Sequence, residues 1–237
     1  MYTCKKCKSS QVMYFFIPAS VILDRRLSMK EHINKVCQMA YWELRRISSI
    51  RQYLTEDAAK TLVVFLVLSR LDYDNCLLAG VPECLLHQLQ KIQNASAKLI
   101  LKSSRQEHTK PILKALHWLL ISDRITYKLS CMCYNSVTAS TPQYLTDRLQ
   151  IYTPSRTLLS AADTRKLKIP LFKKKYSGQR FFSYQGPVTW NYLPFSIRHT
   201  QTYSSFKSVE NLLDLPNLPV EPIFFSFFLF FNDALCI

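Results

Sequence analysis

At 237 residues the chain is long enough to bury a core as one domain or one and a half, and 48% hydrophobic against 20% charged residues excludes a disordered chain. A formal net charge of +15 favours polyanionic partners through counterion release, beside the nonspecific adhesion that any basic protein shows. Only three glycines occur and no GxGxxG or Walker-type sequence appears, which leaves dinucleotide and P-loop chemistry out.

Residues 1–20 lack clear periodicity and read as a flank. Within them Cys4-x-x-Cys7 has the spacing of half a zinc knuckle, but Cys131-x-Cys133 is distant, wrongly spaced and inside a helical pattern, so no metal and no cofactor are expected. The eight cysteines are scattered through apolar contexts, which reads as reduced thiols in the cytosol or nucleus. Val12 to Ala19 faintly imitates a signal peptide, with a marginal apolar run. Val21-Ile22-Leu23-Asp24 reads as a strand-like lead into a turn at Arg25 and Arg26. From Ser28, apolar residues recur at helical spacing through Ile33, Val36, Cys37, Ala40, Tyr41, Leu44, Ile47 and Ile50, and Ser28 with Glu31 offers a capping box. A second helix is predicted from Thr55, with Glu56 and Asp57 in its first turn, to about Tyr73. Its middle, Leu62 to Leu68, is apolar nearly all round and predicts a place at the centre of a bundle.

Gly80 and Pro82 close that unit, and Pro82 suits the first position of a third helix with Leu85, Leu86, Leu89, Ile92, Ala95, Ala97, Leu99 and Ile100 on one broad face. Residues 103–109 read as a loop. Further helical patterns cover Pro111 to Leu116, Ser122 to about Thr138, and Pro142 to Leu149. After Leu149 Pro, Ser, Thr and Lys mix, with one strand-like piece at Leu167-Lys168-Ile169-Pro170, an aromatic-rich stretch from Phe181 to Leu193, and a final amphipathic helix from Ser204 to Leu213. The apolar tail Ile223 to Phe231 falls short of the roughly 18 to 20 residues a membrane span needs. The expected class is mainly α: a helical bundle over 21–150, an irregular basic and aromatic segment over 151–214, and hydrophobic flanking sequence at 215–237.

Ser69-Arg70-Leu71-Asp72-Tyr73-Asp74-Asn75-Cys76-Leu77-Leu78-Ala79-Gly80-Val81-Pro82 resembles a segment downstream of the catalytic palm in LINE-type (non-LTR) retrotransposon reverse transcriptases. Similar phrases follow in the same order: Leu89-Gln90-Lys91-Ile92-Gln93-Asn94-Ala95, Leu116-His117-Trp118-Leu119-Leu120-Ile121, Tyr152-Thr153-Pro154-Ser155-Arg156, and Ser183-Tyr184-Gln185-Gly186-Pro187-Val188-Thr189-Trp190-Asn191-Tyr192-Leu193-Pro194. The resemblance covers roughly Val21 to Leu213 and implies a thumb-like bundle that grips template–primer, followed by a basic segment that helps hold element RNA or target DNA. Arg70, Asp72, Tyr73, Asn75, Gly80, Trp118 and Trp190 match the phrases as structural positions, with no catalytic role implied. Where relatives usually carry Pro, this chain has Leu119 or Leu120.

The polymerase reaction needs carboxylates converging on divalent metal ions. Relatives carry an adjacent Asp-Asp pair, but no two Asp are adjacent here. Asp72-x-Asp74 is the nearest candidate and reads as helix-end structure. Cys84 and His87 share a helix face, without the elbow glycine or third orienting residue that nucleophilic catalysis uses, and His117-Trp118 reads as packing.

Two basic stretches carry the functional signal. Lys98, Lys102, Arg105, Lys110, Lys114, Arg124 and Lys128 are opposed only by Glu107 and Asp123. Arg156, Arg165, Lys166, Lys168, Lys173, Lys174, Lys175 and Arg180 are opposed only by Asp163, and Tyr176, Phe181, Phe182, Tyr184 and Trp190 lie among or beyond them. Such cations neutralise phosphates, and exposed rings stack on unpaired bases, whereas a core role for the aromatics and a solvated face for the lysines is the plainer alternative. The expectation is a catalytically inactive fragment that binds RNA or DNA by charge, and that a palm-containing reverse transcriptase could use in trans. The alternatives are a host-adopted protein-interaction scaffold and a non-functional gene product.

Overall fold

Helix α1 (Lys30–Ile50) forms because its apolar side chains return every three to four residues, and it buries Ile33, Ala40, Leu44 and Ile47 on one side. The structure, a computed structural model, describes residues 21–25, 27–104, 106–153, 165–172 and 178–207. The protein is mainly α-helical, with no strand among the described residues. Residues 1–20 and 215–237, with Cys4 and Cys7, lie outside them.

The start of α1 differs from the expected capping box. Met29 is the N-cap, in the left-handed region at φ 59°, and its side chain makes no capping bond. Ser28 turns away instead: its backbone N–H and its hydroxyl both donate to the Asp24 carboxylate, which holds that carboxyl below its usual value. With its proton given to Asp24, four residues upstream, the hydroxyl keeps only a long contact at the helix start, accepting the Lys30 N–H at 3.4 Å. The lead at residues 21–24 is likewise no strand.

Helix α2 (Glu56–Val63) starts as its composition dictates, with Thr55 accepting the Ala58 N–H at 3.3 Å. It passes through a π-helical stretch (Val64–Leu68) into α3 (Ser69–Asp72). Val63, Val67 and Leu68 are buried, but Phe65 is 48% exposed, so this apolar segment lies against the bundle, not at its centre.

Helices α4 (Glu83–Ile100), α5 (Thr109–Ala115) and α6 (Ile121–Thr138) complete the first core. Pro82 stands one position before its expected place, as N-cap. Arg51 joins the ends of α1 and α4: Nε donates to Leu99 O at 2.9 Å, Nη2 to Ile100 O at 2.5 Å and Nη1 to Leu54 O at 2.8 Å. A cation on the last carbonyls of α4 satisfies groups the helix cannot pair internally. Both α4 and α5 end in Schellman turns, with Ser103 N donating to Lys98 O at 3.0 Å and Trp118 N to Leu113 O at 2.9 Å. The left-handed positions fall on Lys102 (φ 51°) and His117 (φ 55°), where glycine is usual.

Helix α6 serves two cores. Ile121, Ile125 and Leu129 face the first. Cys131, Cys133 and Tyr134 face a second, shared with Leu167, Trp190, Leu193, Ile197 and Phe206. After the short helix α7 (Gln143–Thr146), the described C-terminal part is α8 (Phe182–Tyr192), α9 (Phe195–Arg198) and α10 (Tyr203–Lys207). The Phe181 to Leu193 stretch is thus a helix with Pro187 inside it. Gly186 allows its close approach to α6, since a Cβ there would lie 3.1 Å from Cys133 Sγ. The strand-like piece at Leu167 reduces to one antiparallel bridge with Ile151, and Asn191 binds Leu167 from the other side, Nδ2 to the carbonyl at 2.8 Å and Oδ1 from the N–H at 2.9 Å.

Candidate nucleic-acid interface

The α4–α5 corner gathers the first part of the first basic stretch, while Arg124 and Lys128 lie on α6. Lys98 lies half-buried in the last turn of α4, Lys102 follows at the left-handed turn, and Lys110 and Lys114 are exposed on α5. Lys102, Lys110 and Lys114 form no ion pair with a carboxylate among the described residues. Arg105 lies outside those residues. A lysine held at positive φ costs roughly 1 kcal/mol relative to a relaxed backbone, and here it stands at the tip of the basic corner.

The second stretch divides. Arg156, Lys173, Lys174 and Lys175 lie outside the described residues, as does Tyr176. Lys168 is exposed and Lys166 half-buried. Arg165 and Arg180 do internal work: Arg165 Nη1 donates to Arg198 O at 2.9 Å, and Arg180 Nη1 donates to Leu27 O. Burial lowers the Arg180 guanidinium from its ordinary value, and Asp24 opposes that. Of the aromatics, Trp190 is fully buried, Phe182 and Tyr184 are half-buried, and Phe181 is exposed. Trp190 packs beside Tyr134 and Phe206 and donates Nε1–H to Arg165 O at 2.7 Å.

The residues of the ordered phrases interlock. Gln93 Nε2 donates to Leu119 O at 2.7 Å, and Ile121 N donates to Gln90 Oε1 at 3.0 Å, which ties the second phrase to the third. Gln90 Nε2 also donates to Asn94 Oδ1 at 2.9 Å. Arg70 donates to Leu66 O at 3.0 Å and reaches Glu43 at 3.5 Å. Gly80, at φ +69°, brings the first phrase against the last: a Cβ there would lie 2.7 Å from Gln185 Nε2. Tyr73 is half-buried, and Trp118 is buried in the first core.

Asp72 faces Arg124 on α6, whose Nη1 donates to its Oδ2, and Asn75 Nδ2 stands 3.4 Å from its Oδ1. Burial raises the Asp72 carboxyl, while Arg124, Lys128 and Asn75 pull it back. No group of three His, Cys, Asp or Glu among the described residues is arranged to hold a metal ion. Cys84 and His87 are both exposed, with His87 Nε2 3.4 Å from Glu83. No described helix is long and apolar enough to cross a membrane.

Arg51 was invisible to sequence reasoning, because its acceptors lie on another helix. Trp42, 57% exposed on α1 under the Arg46 guanidinium, was also missed, although its spacing from the apolar positions of α1 sets it off their face. No protein-family model, curated protein or solved structure matches the chain.

Proposed function

We infer that the chain is a catalytically inert, thumb-like helical piece of a LINE-type reverse transcriptase lineage, which holds nucleic acid by phosphate contact. The observation that carries this is the exposed run Lys102, Lys110 and Lys114 around the α4–α5 corner, on a chain of net charge +15. The ordered phrases support the lineage, and their mutual contacts are consistent with structural, not catalytic, positions. The lack of an adjacent Asp pair, with Asp72 engaged by Arg124, supports assigning no polymerisation to the chain by itself.

Filter binding of RNA and DNA across a salt series tests it. Affinity is expected to fall with salt, and a triple Lys102→Ala, Lys110→Ala, Lys114→Ala variant is expected to lower the log–log slope by about two to three. Binding that is absent at low salt, or indifferent to salt, removes the reading. Nucleotide incorporation by the purified chain alone would remove its inertness, and primer extension with a palm-containing enzyme tests a role in trans. Exposed Tyr192 (87%) and Phe195 (54%) favour a protein-interaction scaffold as the second reading, which partners surviving nuclease treatment in a pull-down would support.

A further inference from the structure

We propose that the outer face of α1 binds single-stranded nucleic acid, stacking an unpaired base on Trp42 while Lys35, Arg45 and Arg46 neutralise flanking phosphates. This rests on the polyanion reading above and deepens it by naming a second surface and the strand state it recognises.

Lys35, Gln38, Trp42, Arg45 and Arg46 stand at i, i+3, i+7, i+10 and i+11, which confines them to an arc of about 100° on an α-helix. All five are exposed. The opposite side of α1 carries Ile33, Ala40, Leu44 and Ile47 into the core, so helix phase alone holds the indole outward. Arg46 lies 4.6 Å above the Trp42 ring, a cation–π contact that orients both groups while the residue stays 57% exposed. Tyr53, 80% exposed, follows in the 3₁₀ turn Arg51–Tyr53, about 17 Å further along the axis. Two rings at that separation, with cations between and before them, suit a strand of several nucleotides.

Charge selects the same occupant. Glu43, the carboxylate in the middle of α1, is buried and bonded to Arg46 at 3.3 Å and Arg70 at 3.5 Å. That contact partly neutralises Arg46 and leaves Lys35 and Arg45 as the full charges of the stripe. Glu31 is the one exposed carboxylate of α1 and sits in its first turn, while Glu56 and Asp57 come only after Tyr53. In a duplex the base faces are already stacked, so rings on a helix surface reach only unpaired bases. The α4–α5 corner differs in kind, since the aromatic nearest it in sequence, Trp118, is buried.

Tryptophan fluorescence tests the proposal on the full chain, because Trp118 and Trp190 are 4% and 0% exposed and a surface ligand can quench only Trp42 directly. The probe is an oligouridine of about twelve nucleotides, compared with a duplex of equal length. The strand is expected to quench emission. Trp42→Ala is expected to weaken strand binding about tenfold while leaving the salt slope and duplex affinity unchanged, and Trp42→Phe to restore most of the loss. A Lys102→Ala, Lys110→Ala variant is expected to weaken strand and duplex together and to lower the slope. Circular dichroism of each variant confirms its helix content. Salt-dependent binding that Trp42→Ala leaves unchanged overturns this inference and spares the phosphate reading. Equal weakening of strand and duplex by Trp42→Ala overturns base stacking, as does equal quenching by polyglutamate or anionic phosphatidylserine vesicles. No binding by the parent chain overturns both.

Discussion

Replacing Arg124 by Met strands a carboxylate in the fold. The Asp72 side chain is 3% exposed and that of Arg124 11%, and the Arg124 Nη1 donor is lost while Met keeps much of the apolar stem. The second Arg124 bond, Nε to Leu119 O at 3.2 Å, also goes, but Leu119 O still accepts Gln93 Nε2 at 2.7 Å, so the loss falls on Asp72. Removing one partner of a buried ion pair costs about 3–5 kcal/mol. Lys128 and Asn75 still act on the carboxylate, which puts the expected loss near the lower end, about 3 kcal/mol. Urea unfolding followed by circular dichroism measures it. The sign with pH is fixed by burial, which raises Asp72 above 3.8. A carboxyl raised on folding contributes stability that is present below 3.8 and lost as pH rises through the folded value. Removing Arg124 raises it further, so the deficit of the variant is expected to be largest near neutral pH and to shrink on acidification. Adding Asp72→Asn to the variant is expected to recover most of the loss. A deficit under about 1 kcal/mol, one that is the same at both ends of the pH range, or one that Asp72→Asn leaves untouched would refute the reasoning.

Three further outcomes are expected. Gly80→Ala imposes a side chain at φ +69° with its Cβ 2.7 Å from Gln185 Nε2, and is expected to lose about 1–2 kcal/mol in thermal melts; adding Gln185→Ala relieves the clash but not the dihedral share. Lys102→Gly relaxes the left-handed end of α4 and is expected to raise stability by about 0.5–1 kcal/mol while weakening nucleic-acid binding in the filter assay. Iodoacetamide on the native protein, read by peptide mass spectrometry, is expected to modify exposed Cys84 ahead of Cys131 and Cys133, which are buried and whose thiols burial raises, to about 11 for Cys131.

The helical class and most element positions were legible from the sequence because helix formation is local. The apolar spacing of α1 and α4 and the Thr55 cap each depend on residues within a few positions, and the helices appear where those signals lie. Two failures have the same cause in reverse. Ser28 is oriented by Asp24, to which its N–H and hydroxyl donate, and so meets the helix start only through a 3.4 Å contact from Lys30 N. The strand-like piece at Leu167-Lys168-Ile169-Pro170 reduces to one bridge, because its partners, Ile151 and Asn191, are supplied by distant segments. Among the basic residues, composition could count charge but not say where each cation points.

Sequence alone determined the helical class, the charge excess and the order of the phrases, since each is a property of neighbouring residues or of their sum. Only the tertiary structure decided which cations face water and which serve the fold. Arg51, Arg124, Arg165 and Arg180 reach acceptors 48, 52, 33 and 153 positions away, while Lys102, Lys110 and Lys114 stay outside. A guanidinium bound to a buried carbonyl or carboxylate and a lysine in solvent carry the same formal charge, and the partner that separates them is supplied by packing between distant segments.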